Sequence, residues 1–251
     1  MSEDSMSEDA TGRIALVTGA NKGIGLEIAR GLGRLGAIVL VGARRADAGE
    51  AAAAELRGEG IDARFVQIDI TDADSIFAAA QRIERDHGRL DILINNAAVS
   101  LNKGVPPSAA DIGLLRETFE TNVFGVIAVT QKMLPLLRAA PAARIVNMSS
   151  GLGSLALTLK LGPTAPFVFN RLMAYNISKT AVNAVTVQFA VELAETDIKV
   201  NAAGPKLSAT ALSGGQGSPP AEAAGIAIRL ALIGPDGPTG GLYGDDGQIP
   251  W

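Results

Sequence analysis

The sequence predicts one doubly wound α/β domain: a parallel sheet of about seven strands with helices on both faces. Three observations lead there. Short apolar runs recur along the chain and alternate with stretches of helical patterning, which implies a parallel sheet buried on both sides. A glycine-rich turn, Thr18-Gly-Ala-Asn-Lys-Gly-Ile-Gly25, stands where the first such run gives way to the first helical stretch. The 251 residues show no composition break that would mark a domain boundary and no repeat of solenoid period, and α/β domains often reach this size.

Residues 1–11 are acidic and polar and carry Met-Ser-Glu-Asp twice. They lack the basic and apolar parts of a signal peptide and are expected to be a disordered tail ahead of a domain over 12–251. The run 14–17 reads as the first strand and 26–35 as the first helix; 37–42 and the alanine-rich 46–59 repeat the pattern. A third strand over 64–68 leads to a helix over 72–86 with Thr71 as its N-cap. His87 and Gly88 follow, where a histidine answers exposed carbonyls and the helix dipole. A fourth strand over 91–94 precedes the Pro106-Pro107 loop and a long helical region over 111–139. The fifth strand is 144–148, a helix runs from Tyr175 to about Ala194, and the sixth strand is 198–202. A last helix over 221–232 and a short segment at 241–243 close the fold.

Composition narrows the function. With 47% hydrophobic residues, 19% charged ones and 29 glycines, the chain suits a well-buried globular enzyme better than a disordered or coiled-coil protein. A net charge of −4 argues against a nucleic-acid footprint, and no apolar run approaches the roughly 18–20 residues that span a bilayer. Cysteine is absent, which removes disulfides and thiolate metal sites and fits a cytoplasmic location; no bound metal is expected. One histidine and no cysteine leave a Ser-His-Asp or Cys-His hydrolase without its parts.

The chemistry-bearing residues gather at predicted strand ends. A glycine turn between strand and helix brings backbone N–H groups and the positive helix end toward a phosphate. Here Gly19, Gly23 and Gly25 are spaced more widely than in the common dinucleotide fingerprint, with Asn21, Lys22 and Ile24 between them. Three glycines can also merely form a tight corner. At the second strand's end, where an NAD site carries an acid for the ribose, this chain has Arg44-Arg45. With Lys22 as a further cation, the pair favours NADP(H) over NAD(H); the other reading is solvated charge at a helix start. Asp69, Asn96 and Ser150 also fall at strand ends, where ligands of open α/β sheets collect. Tyr175 and Lys179, four apart on one helix face, pair a phenol with a cation that would stabilise its phenolate and lower its pKa.

Together, Thr18-Gly19-x-x-x-Gly23-Ile24-Gly25, Asn95-Asn96-Ala97, Asn122, Ser150 and Tyr175-x-x-x-Lys179 resemble the short-chain dehydrogenase/reductase family, over essentially all of the chain from Arg13. Within it the chain looks most like the NADPH-dependent carbonyl reductases, whose glycine turn often carries Asn-Lys, as at Asn21-Lys22, and whose second strand ends in Ala-Arg, as at Ala43-Arg44. The resemblance implies a Rossmann-like fold and NADPH-dependent reduction of a ketone or aldehyde. It makes Tyr175 the general acid, Lys179 the group that lowers its pKa and holds the nicotinamide ribose, and Ser150 the donor to the carbonyl oxygen. Asn122 would anchor a water chain. Asp69 would contact the adenine amino group, with Ile70, Asn96, Ala97, Pro205 and Thr210 completing the cofactor site.

Two departures stand out. Tyr175 follows Ser150 by 25 residues where the family commonly has about a dozen. The insertion is rich in leucine, with Phe167 and Phe169, and large residues alternate with others over 155–161. It reads as an apolar lid, 151–174 together with 206–220, over an apolar carbonyl substrate, or as a cover for a helix face that relatives use to oligomerise, favouring a monomer; the two are compatible. Lys206 stands where the family usually has glycine, which puts the cofactor loop's geometry in question. The alternatives are a 3-oxoacyl thioester reductase of the same family, for which Lys160, Arg171 and Lys206 would be the basic surface, and a non-catalytic NADP(H)-binding sensor.

Overall fold

The computed structural model describes residues 9–101, 104–161, 172–210 and 212–251. Its strands are β1 (Ile14–Thr18), β2 (Ile38–Ala43), β3 (Ala63–Gln67), β4 (Ile92–Asn95), β5 (Arg144–Met148), β6 (Lys199–Ala203), β7 (Leu242–Gly244) and β8 (Gly247–Ile249). The helices are α1 (Gly23–Arg34), α2 (Ala46–Gly58), α3 (Ala73–His87), α4 (Ile112–Phe119), α5 (Gly125–Arg138), α6 (Leu155–Leu161), α7 (Met173–Glu192) and α8 (Pro220–Ala231). One sheet runs β3-β2-β1-β4-β5-β6-β7-β8, parallel except for the β7–β8 pair. The order reverses at β1, between β2 and β4, which opens the crevice at the carboxyl ends of those strands.

Side chains alternate across the pleat and feed two cores. Ala15 and Val17 join α1, α2 and α8 on one face. Ile14 and Leu16 join α3, α5 and α7 on the other. With both faces covered, β1 is buried at every position, which is why its sequence reads as a continuous apolar run. Among the described residues no helix is long and apolar enough to cross a membrane.

Several expectations need correction. The tail is not loose up to Thr11: Ala10 is fully buried and its N–H donates to the Leu35 carbonyl at 2.8 Å, while residues 1–8 lie outside the described residues. The N-cap of α3 is Asp72, whose carboxylate accepts from the Asp74 and Ser75 N–H groups; Thr71 donates its N–H and hydroxyl to Asp69 instead. The region 111–139 is helical but holds a π turn, Glu120–Phe124, between α4 and α5. An eighth strand follows the expected seven: Gly247 at φ 119 turns the chain back on itself, and Gly-Gln-Ile is too short and polar to show as a strand. In the insertion, the alternation over 155–161 belongs to a short helix with Leu155 and Leu159 exposed. Of the expected lid, 162–171, with Phe167, Phe169 and Arg171, and residue 211 lie outside the described residues.

Candidate active site

α7 carries both Tyr175 and Lys179. Tyr175 is partly buried and shares a hydrogen bond with the Ser150 hydroxyl, while Ser150 accepts from the Leu152 N–H at 3.2 Å. Lys179 is buried; its ammonium donates to the Met148 carbonyl at the end of β5 at 2.7 Å and stands 5.4 Å from the Tyr175 ring centre. Phenol, ammonium and serine hydroxyl thus meet at the tip of β5.

The protonation of the pair departs from expectation. Tyr175 is pushed up to about 12 by burial, against which the Ser150 hydrogen bond works in the lowering direction. Lys179 is pushed down to about 8 by burial. Removing either charged form from water outweighs their attraction at this separation. Burial thus works against the lysine's effect on the phenol and favours its protonated form.

Asn122 is fully buried within the π turn. Its Oδ1 accepts from the Val99 N–H at 2.8 Å, and its Nδ2 donates to the Val99 carbonyl at 2.9 Å and to the Ser178 hydroxyl at 3.0 Å. Ser178 in turn donates to the Tyr175 carbonyl at 2.7 Å. The side chain ties the loop after β4 to the tyrosine helix. π turns concentrate at functional sites.

The glycine turn leads from β1 into α1. Gly19 and Gly23 have φ of 64° and 59°, conformations open chiefly to glycine. At Gly25 a Cβ would lie 2.4 Å from the Asn96 Nδ2 and 2.7 Å from the Gly19 carbonyl. Asn96 holds the turn from the end of β4: its Nδ2 donates to the Thr18 carbonyl at 2.8 Å. The Thr18 hydroxyl accepts from the N–H groups of Asn96 at 2.9 Å and Ala97 at 3.1 Å. No side chain caps α1 at Lys22, so its first N–H groups are available to an anion. Ile24 packs against the core, leaving its main chain as what it can offer a ligand.

The outlying positions fall around this turn. The Thr210 methyl would lie 3.5 Å from a Cβ on Gly23, so the loop running from Pro205 folds back onto the glycines. Arg44 is exposed at the end of β2, and among the described residues its side chain has no partner, whereas Arg45 pairs with Asp47. Lys22 is likewise exposed. Asp69 uses one carboxylate oxygen on Thr71; Ile70 turns its side chain into the core against Gly125. Uncapped N–H groups, a turn closed to side chains and uncommitted cations fit a phosphorylated dinucleotide. Lys206 lies on the surface facing Asp246 at 3.4 Å, with no positive φ. Thr18, the first residue of the glycine-turn motif, and Ser178, which carries no signal in the sequence, both hold the site. Each is a small hydroxyl whose role depends on a partner more than fifty residues away.

A short-chain dehydrogenase family model matches residues 13–219. The short-chain dehydrogenase anuI of Penicillium roqueforti (strain FM164) is 39% identical over 215 residues, covering 83% of this chain and 84% of its own. Carbonyl reductase (NADPH) 1 of Homo sapiens is 44% identical over 139 residues, covering 55% of this chain and 48% of that enzyme, so the match spans about half of it. Among solved structures, a gluconate 5-dehydrogenase from Burkholderia cenocepacia J2315 in complex with NADP and tartrate superposes with a TM-score of 0.82 at 26% identity, covering 94% of each chain. Salutaridine reductase from Papaver somniferum does so at 0.79 and 28%, covering 93% of this chain and 99% of its own. With the family model spanning most of its length and a 39%-identical relative matched over most of both sequences, this protein belongs to the short-chain dehydrogenase/reductase family.

Proposed function

We propose that this protein reduces a ketone or aldehyde to an alcohol with NADPH as hydride donor, with Tyr175 as the acid. The reading rests on one observation above the others: the partly buried Tyr175 phenol beside the Ser150 hydroxyl, one helical turn from the buried Lys179. Support for the cofactor comes from the glycine turn, the uncommitted Arg44 and Lys22, and relatives whose names carry NADPH or NADP.

NADPH, when bound, supplies the hydride for the carbonyl carbon. Tyr175 donates its proton to the carbonyl oxygen as negative charge develops there. The Ser150 hydroxyl donates to the same oxygen, a hydrogen bond that strengthens toward the transition state. Once the proton has left, the phenolate sits in a buried place with the Lys179 ammonium one turn away, where Coulomb attraction is far stronger than in water. Lys179 would also hold the cofactor's nicotinamide ribose. The Asn122 side chain is spent on Val99 and Ser178 and holds the loop after β4 against the tyrosine helix. Substrate is expected to be apolar.

Tyr175→Phe removes the proton and little volume. Against a panel of bulky aromatic ketones and diketones, NADPH oxidation should fall by about 10²–10⁴ in kcat, while NADPH binding followed by fluorescence stays near wild type. Turnover close to wild type would take Tyr175 out of the mechanism.

A further inference from the structure

We infer that Asn183 is a positioning residue for Ser150, clamping the serine's loop to the helix that carries Tyr175 and Lys179. The inference rests on the reductase reading for its consequence and on side-chain geometry for its substance. Asn183 lies one turn beyond Lys179 on α7 and is buried. Its Oδ1 accepts from the Ser149 hydroxyl at 2.5 Å. Its Nδ2 donates to the Gly153 carbonyl at 3.2 Å. One amide therefore grips the loop both immediately before Ser150 and three residues after it.

Neighbouring groups reinforce the grip without replacing it. Thr180 Oγ1 donates to the same Gly153 carbonyl at 2.9 Å, and Ser149 Oγ also reaches the Lys179 carbonyl at 3.3 Å. Gly153 lies so close to α7 that a Cβ on it would be 2.7 Å from the Lys179 carbonyl carbon. The loop is thus seated on the backbone of the helix whose side chains perform the proposed chemistry. A buried amide left unpaired is costly, and both halves of this one are engaged within the protein, leaving the side chain to hold rather than to react. What it holds is the distance between Ser150 and Tyr175, and misplacement by about 1 Å can cost on the order of 10²-fold in rate.

Two measurements test this. In Asn183→Ala, kcat for ketone reduction should fall about tenfold or more, with the NADPH dissociation constant unchanged within about twofold. In a Ser150→Ala background, adding Asn183→Ala should change kcat by less than about twofold, because an effect that passes through the serine hydroxyl disappears with it. Equal losses in both backgrounds, or no loss in the first, overturn the inference. Independently of turnover, hydrogen exchange of peptides covering 149–154 should quicken in Asn183→Ala while those within 173–192 do not; unchanged exchange over 149–154 also overturns it. If no ketone of the panel makes the wild-type protein oxidise NADPH, the reductase reading falls and the exchange measurement still decides the clamp. Should Asn183→Ala fail to fold, Ser149→Ala releases one end only and carries the same expectations.

Discussion

Burial moves the two titrating groups of the site in opposite directions, and each shift has a measurable sign. Lys179, at about 8 in the folded chain, should be about 10.4 when unfolded. Between those values the unfolded chain binds more protons, so this group's contribution to stability rises with pH across the window, and its full burial penalty, roughly 3 kcal/mol, applies below pH 8. Tyr175, raised to about 12, acts in the opposite sense above about pH 10, which leaves pH 8–10 to the lysine. Denaturant midpoints of wild type and Lys179→Met at pH 7 and pH 9 should show a rise in the first that is missing in the second. In turnover, ketone reduction should hold steady below pH 8 and decline above it as the ammonium beside the phenolate is lost. Arg44 invites a different test: Arg44→Ala should weaken NADPH about tenfold or more, the worth of one charge-assisted hydrogen bond, and spare NADH. Equal losses for both cofactors would remove Arg44 from phosphate recognition.

At the level of elements, the glycine turn is a joint between β1, α1 and the end of β4. Gly25→Ala would drive a Cβ against the Asn96 Nδ2 and the Gly19 carbonyl; overpacking of this kind costs about 1–3 kcal/mol. Thermal melting should drop by several degrees and NADPH binding should weaken with it. The turn was legible in sequence because glycine announces backbone crowding directly, and the strands through β7 were legible because burial on both faces makes them continuous apolar runs. Other features were hidden for physical reasons. Thr71 and Asp72 are both good caps, and only the three-dimensional course of the chain, with Thr71 drawn to Asp69, decides between them. The π turn around Asn122 leaves no pattern in residue types. The insertion helix α6 is a short apolar segment whose period is ambiguous at seven residues. The amide of Asn183 looks like any polar residue on a long helix until Ser149 and Gly153 are seen on either side of it.

Over the whole molecule, sheet order gathers residues scattered along 131 positions of sequence, from Gly19 to Ser150, at one edge. Gly19, Arg44, Asp69, Asn96 and Ser150 each stand just past a strand, and the crossing between β2 and β4 places the glycine turn centrally. The last residues reach the same edge from the other side: the Ser154 hydroxyl donates to the Pro250 carbonyl at 2.6 Å, and the Ala156 N–H donates to the Trp251 carbonyl at 2.9 Å. Deleting Pro250 and Trp251 removes both hydrogen bonds, each worth about 1 kcal/mol. Proteolysis within 154–161 should accelerate while the global unfolding midpoint moves little; an unchanged cleavage rate would mean that the strap does not hold the insertion. The strap also bears on how the protein should be handled. A bulky group attached at Trp251 would press on α6, close to the serine loop, whereas one attached at Asp9 would sit near Leu35 and leave that loop alone.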